Sequence, residues 1–401
     1  MKPVLQAVLF LGLVTPSFSA APEVDFDGAR NAIQMGISAE LKNPSFQPPT
    51  PNTGITTDGV AFVPRPESTS LATPATTPII ETKVFRITES GAEVEVPAEI
   101  VDGKGYLKIK PNEIIEHKIW CPSQSGVWGL CYDYKLDPKF AGHNHNTNIP
   151  PYTWNGQNIP AHRCWSNIPV ANTVVLYLRA PEFATRADHT AQISGACYGP
   201  VSSIIDTKID GLTSLPPAWS DSLHGGVTYY NLVGDTTQHP INHFAKPQTI
   251  DLIKEIAWQY HTEFPNAEVL NVNDISLKWG GLFDISGAWA MPHEFHRYGR
   301  QADFRLSSII PESNRERFKQ ISCDLGVEVE LHSKDHKKLS PSDAAVWEGM
   351  DFNTPPWKFL TAEELDARVP HYHLVFPKYD SDVDEPTDQA PQGCPSKSAR
   401  R

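Results

Sequence analysis

Between residues 80 and 205 short runs alternate apolar and polar side chains and break at Gly, Pro or Asn. TKVFRIT, AEVEVPAEIV and GYLKIK come first, and TVVLYLRAPEF and DHTAQISGACYG follow. A period of two puts successive side chains on opposite faces of a pleated strand, so these runs read as half-buried β-strands. Helical periodicity is weak throughout them. Proline points the same way: 36 of 401 residues is about 9%, against roughly 5% in an average chain. The composition thus favours linkers and loop-rich β domains over a helical bundle.

The pattern changes near residue 215. IDLIKEIAWQYHTEF spaces Ile250, Leu252, Ile253, Ile256, Ala257 and Tyr260 three and four apart, as on one face of a helix. Strand-like VNDISLKW and GGLFDI follow, then a helix in ESNRERFKQISCDLG that Gly326 stops. VEVELHS and HYHLVFPK read as further strands. The expected fold is multidomain: an immunoglobulin-like β-sandwich over 80–205, then an α+β domain with a small antiparallel sheet over 215–380. Residues 44–78 hold 8 Pro and 11 Ser or Thr among 35 positions. Such a stretch cannot bury enough apolar surface to order itself, so 21–79 reads as a linker, with one short helix in ARNAIQMGISAELK. Residues 381–401 read as a disordered tail.

The first twenty residues have the form of a signal peptide. Lys2 supplies the basic start, Val4 to Val14 an apolar stretch too short to span a bilayer, and Ser17, Ser19, Ala20 and Ala21 the small residues near a cleavage site. The expected location is secreted, periplasmic or cell-surface, with no transmembrane segment. The net charge of −13 comes from 34 basic against 47 acidic residues. The basic residues are scattered, which excludes a general nucleic-acid binder, since phosphate neutralisation needs a concentrated basic face. Export makes disulfides the expected state of the six cysteines. The loop CPSQSGVWGLC favours a Cys121–Cys131 bridge, and Cys164 and Cys197, which flank two strand-like runs, are expected to form a second bridge that staples the sandwich. Cys323 and Cys394 are left over, either paired or as a buried thiol and a tail cysteine.

Ten of the fifteen His fall within 215–385, and the densest cluster is PHEFHRYGRQADF. His296 and Asp303 lie seven apart with Gly299 between them. They can converge if the chain turns at the glycine and re-enters a strand. Sixty-eight residues beyond Asp303 comes HYH. Residues two apart on a strand share a face, so His371 and His373 point together. Three nitrogen and oxygen ligands with an open water position make a catalytic zinc site, and a further imidazole can handle the proton. A lone His beside an Asp is ordinarily a surface hydrogen-bonded pair, and an HxH on a strand is usually unremarkable. Their joint occurrence around a βαββ pattern favours the metal. HEFH is one residue short of HExxH, so Glu294 does not stand where a zincin's base would.

HxxHxxGxxxD followed by a strand HxH resembles the lysostaphin-type, D-alanyl-D-alanine and hedgehog-like zinc metallopeptidases. Within that group it is most similar to penicillin-insensitive murein endopeptidases. SLKWGGLFDISGAWAMPHEFHRYGR also resembles exported proteins that join immunoglobulin-like modules to such a domain. The resemblance spans roughly 215–378. It implies Zn²⁺ held by His296, Asp303 and His373, with His371 catalytic and His293 lining the site. It implies a hydrolase acting on peptide bonds, with peptide or peptidoglycan crosslinks as substrate. Carboxypeptidase-type relatives carry an acid three residues before the last ligand. Pro370 stands there in this chain, which favours an endopeptidase-like arrangement.

Other histidines carry weaker signals. Pro240 argues against a helix joining His239 and His243, which read as loop residues. His332 or His336 could add an imidazole to the site. His143 and His145, in HNHN, read as a Pro- and Asn-rich loop rather than a metal site. Trp279, Trp289, Trp347 and Trp357 read as core or rim, or as walls of a groove. The competing function is a non-catalytic surface binding or adhesion protein with a retained zinc site.

Overall fold

The computed structural model describes residues 59–65, 77–88, 92–97, 99–101, 106–145, 148–221, 226–284, 287–289, 296–334, 337–354, 357–360, 364 and 368–378. The signal-like segment, the short helix expected near residue 35 and the C-terminal tail lie outside them.

Two sheets face one another over a shared core. In spatial order the first holds Glu93–Val96, Ile79–Ile87, Ile114–Trp120, Asn172–Arg179, Thr153–Trp154 and Gln157–Asn158. The second holds His162–Pro169, Val127–Asp137, Thr185–Gly195, Gly199–Thr207, Tyr106–Ile109 and Glu99–Val101. Alternation fixes what each contributes. Trp128, Leu130, Tyr132 and Tyr134 point inward from Val127–Asp137, and meet Ile115, Ile119, Val174, Leu176 and Leu178 of the first sheet. Burying each such side chain contributes roughly 1.5–3 kcal/mol. The sheet pair begins earlier than residue 80. Val60–Pro64 pairs antiparallel with Asn172–Arg179, and Val60 and Ala61 are buried. The apolar run VAFV inside the Pro- and Thr-rich stretch therefore belongs to the fold, because its apolar side chains find a sheet edge.

Cysteine pairing corrects both expected bridges, Cys121–Cys131 and Cys164–Cys197. The bridges are Cys121–Cys197 and Cys131–Cys164. Cys131 lies mid-strand, directly opposite Cys164 in the antiparallel register. Cys121 directly follows the strand Ile114–Trp120 of the first sheet and meets Cys197 between two strands of the second. Sheet pairing outweighs the proximity of 121 and 131 in sequence. Cys323 is also bonded, and no free cysteine remains among the described residues; Cys394 lies outside them. Peptide mapping without reduction should recover the 121–197 and 131–164 pairs, and a 121–131 peptide would contradict this register. Cys121–Cys197 spans 76 residues, so its removal should cost about 2–5 kcal/mol.

The interior of the sheet pair carries an acid-sensitive group. His117 is fully buried, its Nδ1 lies 2.8 Å from Thr82 Oγ1, and its ring packs against Tyr132 and His189. Burial pushes its pKa down to about 3 from 6.5. Below its ordinary value the unfolded chain takes up a proton that the folded chain refuses. Stability is therefore lost as pH falls from about 6.5 toward 3, by roughly 2 kcal/mol at pH 5 at about 1.36 kcal/mol per unit. In His117→Gln the difference in denaturation free energy between pH 7 and pH 5 should shrink by about that amount. An unchanged difference would remove His117 as the cause.

The C-terminal half has one sheet, ordered Ala218–Asp221, Val227–Leu232, Leu270–Val272, Gln301–Arg305, His371–Val375 and Glu328–His332. Pro247 opens the helix Pro247–Glu263, which buries Ile250, Ile253, Ile256, Ala257 and Tyr260. That stripe joins Leu270, Val272, Phe304, Phe318, Tyr372 and Leu374 in a second core, with Phe318 and Ile321 coming from the helix Arg315–Asp324. A third helix, Pro341–Glu348, was not legible from periodicity because it has no buried residue. It starts where Ser340 Oγ accepts from the Asp343 amide. Phe304, Tyr372 and Leu374 commit one face of the sheet to the core, so Asp303, His371 and His373 share the opposite face. No helix among the described residues is long and apolar enough to cross a membrane.

Candidate metal centre

Strand register assembles the site. Asp303 stands opposite His373, and Arg305 opposite His371. On the other side of the His371–Val375 strand, Glu330 stands opposite His373 and His332 opposite His371. Three adjacent strands thus place an Asp, three His and a Glu on one face. His296 arrives from outside the sheet. Its backbone is left-handed at φ 65°, a conformation that costs an ordinary L-residue about 1–2 kcal/mol. Two contacts hold it there: its amide donates to Gln301 Oε1, and its ring Nδ1 lies 2.8 Å from the Ile275 carbonyl. Gly299, at φ +68°, makes the turn between His296 and the Asp303 strand.

His296, Asp303 and His373 each offer one ligand atom, all within 4.8 Å of one another. His296 Nε2 is 3.4 Å from Asp303 Oδ2, and His373 Nδ1 is 2.8 Å from Asp303 Oδ1. A carbonyl can only accept, so His296 Nδ1 must donate to Ile275, which leaves a lone pair on Nε2 in the neutral ring. That lone pair faces a carboxylate oxygen, an arrangement that attracts a cation. Burial disfavours charge on His296, yet the Asp303 carboxylate holds its pKa above the ordinary value. Burial likewise opposes the Asp303 anion, and His371 and His296 overcome it, holding the carboxyl well below its usual range. His373 and His371 are each pushed down to about 4, chiefly by burial, so both rings are neutral near pH 7 and keep a lone pair.

His371 differs from the other three. Its Nε2 lies 3.2 Å from Asp303 Oδ2, but it falls outside the set whose ligand atoms mutually lie within 4.8 Å. It is also 8% exposed, against 0–1% for His296, Asp303 and His373. It therefore sits at the solvent side of the cluster. His332 stacks on His373 at 4.5 Å between ring centroids, and its Nε2 is 3.0 Å from Glu330 Oε2. Glu330 is pulled down to about 2, first by His332 and also by Lys338. His332 is thus an imidazole of the site that sequence spacing signalled only weakly, and Glu330 is a residue that it missed. The strand pairing Glu330↔His373 was the missing information. His293, Glu294 and His336 lie outside the described residues.

The remaining expectations divide. His243 is a loop residue, its Nε2 2.8 Å from the Val233 carbonyl. His239 is a loop residue as well, and its side chain joins His143, His145 and Asp284 in a second group of metal-capable side chains. His143 and His145 do lie in a loop, as expected, and their side chains meet partners 96 and 141 positions beyond His143 in a group that could hold a metal ion. Trp289 packs on these two rings, Trp279 stacks on Phe140, and Trp347 meets Trp357 in the C-terminal core. None of the four lies against His371 or His373 in any ring contact among the described residues. A third metal-capable group, Cys131, His162 and Cys164, has its two sulfurs committed to a disulfide. No protein-family model and no curated protein matches this sequence.

Proposed function

We propose that this chain is an exported zinc metallopeptidase whose immunoglobulin-like sheet pair accompanies a peptidase-type half, with peptide bonds such as peptidoglycan crosslinks as substrate. One observation carries the reading: His296, Asp303 and His373 meet at one point while a separate imidazole, His371, stands at the solvent side. The donor set of two imidazoles and one carboxylate suits zinc and leaves a fourth position for water. When bound, the ion would polarise the scissile carbonyl and acidify the attacking water. The chain's own residues supply the rest. His296 is oriented by the Ile275 carbonyl, a typical outer partner of a metal-bound His. His371, neutral through burial, can take a proton from the water and return it to the leaving amine. The signal-like N-terminus and the two disulfides support an oxidising compartment outside the cytoplasm.

Near-complete burial of the three ligands favours a second reading, a binding protein that retains a closed zinc site without turnover. The test is to incubate the purified, zinc-loaded chain with muropeptides and with crosslinked peptidoglycan, and to follow new amine and carboxyl ends by mass spectrometry. Cleavage abolished by a chelator and restored by Zn²⁺ supports the peptidase. Zinc retention without any cleavage, together with binding to the same material, supports the second reading.

A further inference from the structure

His143 and His145 follow the short turn Pro138–Ala141 that leaves the sheet pair. His239 belongs to the connection between Val227–Leu232 and the helix Pro247–Glu263, and Asp284 to the segment before His296. Their side chains converge. His143 Nδ1 and His145 Nε2 are each 3.4 Å from Asp284 Oδ1, and His239 Nε2 is 3.1 Å from the same oxygen. His143 Nδ1 and His145 Nε2 are 3.3 Å apart. A tetrahedral ion with ligands at about 2.0–2.1 Å has ligand–ligand edges of about 3.3–3.4 Å. Four of the six edges are thus known, and all four lie near that value.

Hydrogen bonding alone accounts poorly for this arrangement. Two ring nitrogens 3.3 Å apart cannot both point a hydrogen at one oxygen without repelling each other. If neither carries a hydrogen, lone pairs face lone pairs; if one donates to the other, the acceptor has no hydrogen to give the carboxylate oxygen 3.4 Å away. The surroundings exclude water from resolving this freely. His143, His239 and Asp284 are buried, and His145 is nearly so. Trp289 packs at 4.8 Å and 4.2 Å on the His143 and His145 rings, and Phe183 and Leu282 complete an apolar wall. The second Asp284 oxygen accepts from the Trp289 amide, which fixes the carboxylate. Asn144, between the two His, is pinned to the His239 loop: its amide donates to the Gln238 carbonyl at 2.7 Å and its side chain to the Thr237 carbonyl at 2.9 Å.

We propose that His143, His145, His239 and Asp284 form a second metal site, holding one zinc-class divalent transition ion that clamps the sheet pair to the C-terminal half. Three imidazoles exclude a calcium or magnesium site, since those ions take oxygen ligands. Four protein ligands fill a tetrahedron and leave no water position, so the site is structural rather than catalytic. It is independent of the proposed peptidase chemistry, because none of its residues belongs to the His296 group.

The test is metal stoichiometry of the full chain, stripped with chelator, reloaded with Zn²⁺ alone and measured by mass spectrometry of the metal. Two ions per chain are expected, one in Asp303→Asn, and one in Asp284→Asn or His145→Ala. X-ray absorption on Asp303→Asn, which keeps the second site intact, should find about three imidazole nitrogens and one oxygen near 2.0–2.1 Å. A wild-type chain that saturates at one ion, lost in Asp303→Asn, overturns the second site even if the Asp284 and His145 variants do not fold. Two ions kept in both of those variants overturns it too. One ion that survives in Asp303→Asn but not in His145→Ala supports the second site and counts against the first.

Discussion

His373→Ala is expected to lose the metal of the His296 group together with all hydrolysis, whereas His371→Ala keeps that metal and loses roughly 10²–10⁴-fold in rate. The two imidazoles share a strand face and a common neighbour in Asp303, so sequence position alone does not separate their roles. Geometry does. His373 is 1% exposed and within the mutually close ligand set, while His371 is 8% exposed and outside it. Removing His373 reduces the site to two protein ligands, too few for stable zinc. On the proposed peptidase reading, removing His371 deletes only a proton carrier. Metal content and turnover measured on the same preparations decide the matter. Equal zinc loss in both variants would make His371 a fourth ligand and close the water position, and unchanged turnover in His371→Ala would remove it from the reaction.

Gly299→Ala should destabilise the fold by roughly 2–5 kcal/mol and weaken zinc binding in the same variant. The backbone at φ +68° costs an alanine about 1–2 kcal/mol. Its Cβ would also lie 2.5 Å from Leu212 Cδ2, 2.9 Å from Ala245 Cα and 3.2 Å from Lys246 N. Overpacking of this kind costs about 1–3 kcal/mol. The leucine methyl can move, but the two backbone atoms cannot do so cheaply, since Lys246 N donates to the Gly299 carbonyl at 3.0 Å. Relief of the turn strain would shift His296 against Asp303, which lie on either side of it. A Leu212→Ala change added to Gly299→Ala should therefore recover only part of the loss in Tm. Wild-type Tm and zinc content in Gly299→Ala would show that the turn does not position the ligands.

Much of this arrangement was legible in residue patterns, because the physics behind it is local. Period-two alternation marked the strands around Ile79–Ile87 and Asn172–Arg179, and three- and four-residue spacing marked the helix over Pro247–Glu263. A strand's two-residue repeat dictates that His371 and His373 share a face. The glycine between His296 and Asp303 signalled a turn, and a turn with φ +68° stands there.

What only the tertiary structure decided are pairings between distant segments, which no local period encodes. Cys131 is ten residues from Cys121, yet it faces Cys164, because antiparallel register and not chain proximity sets which sulfurs meet. Glu330 and His332 enter the site because their strand lies beside His371–Val375. His143 and His145 read as loop residues when only their neighbours in sequence are considered. They become half of a four-residue cluster able to hold a metal ion because folding brings His239 and Asp284 to them, across the junction between the sheet pair and the C-terminal half.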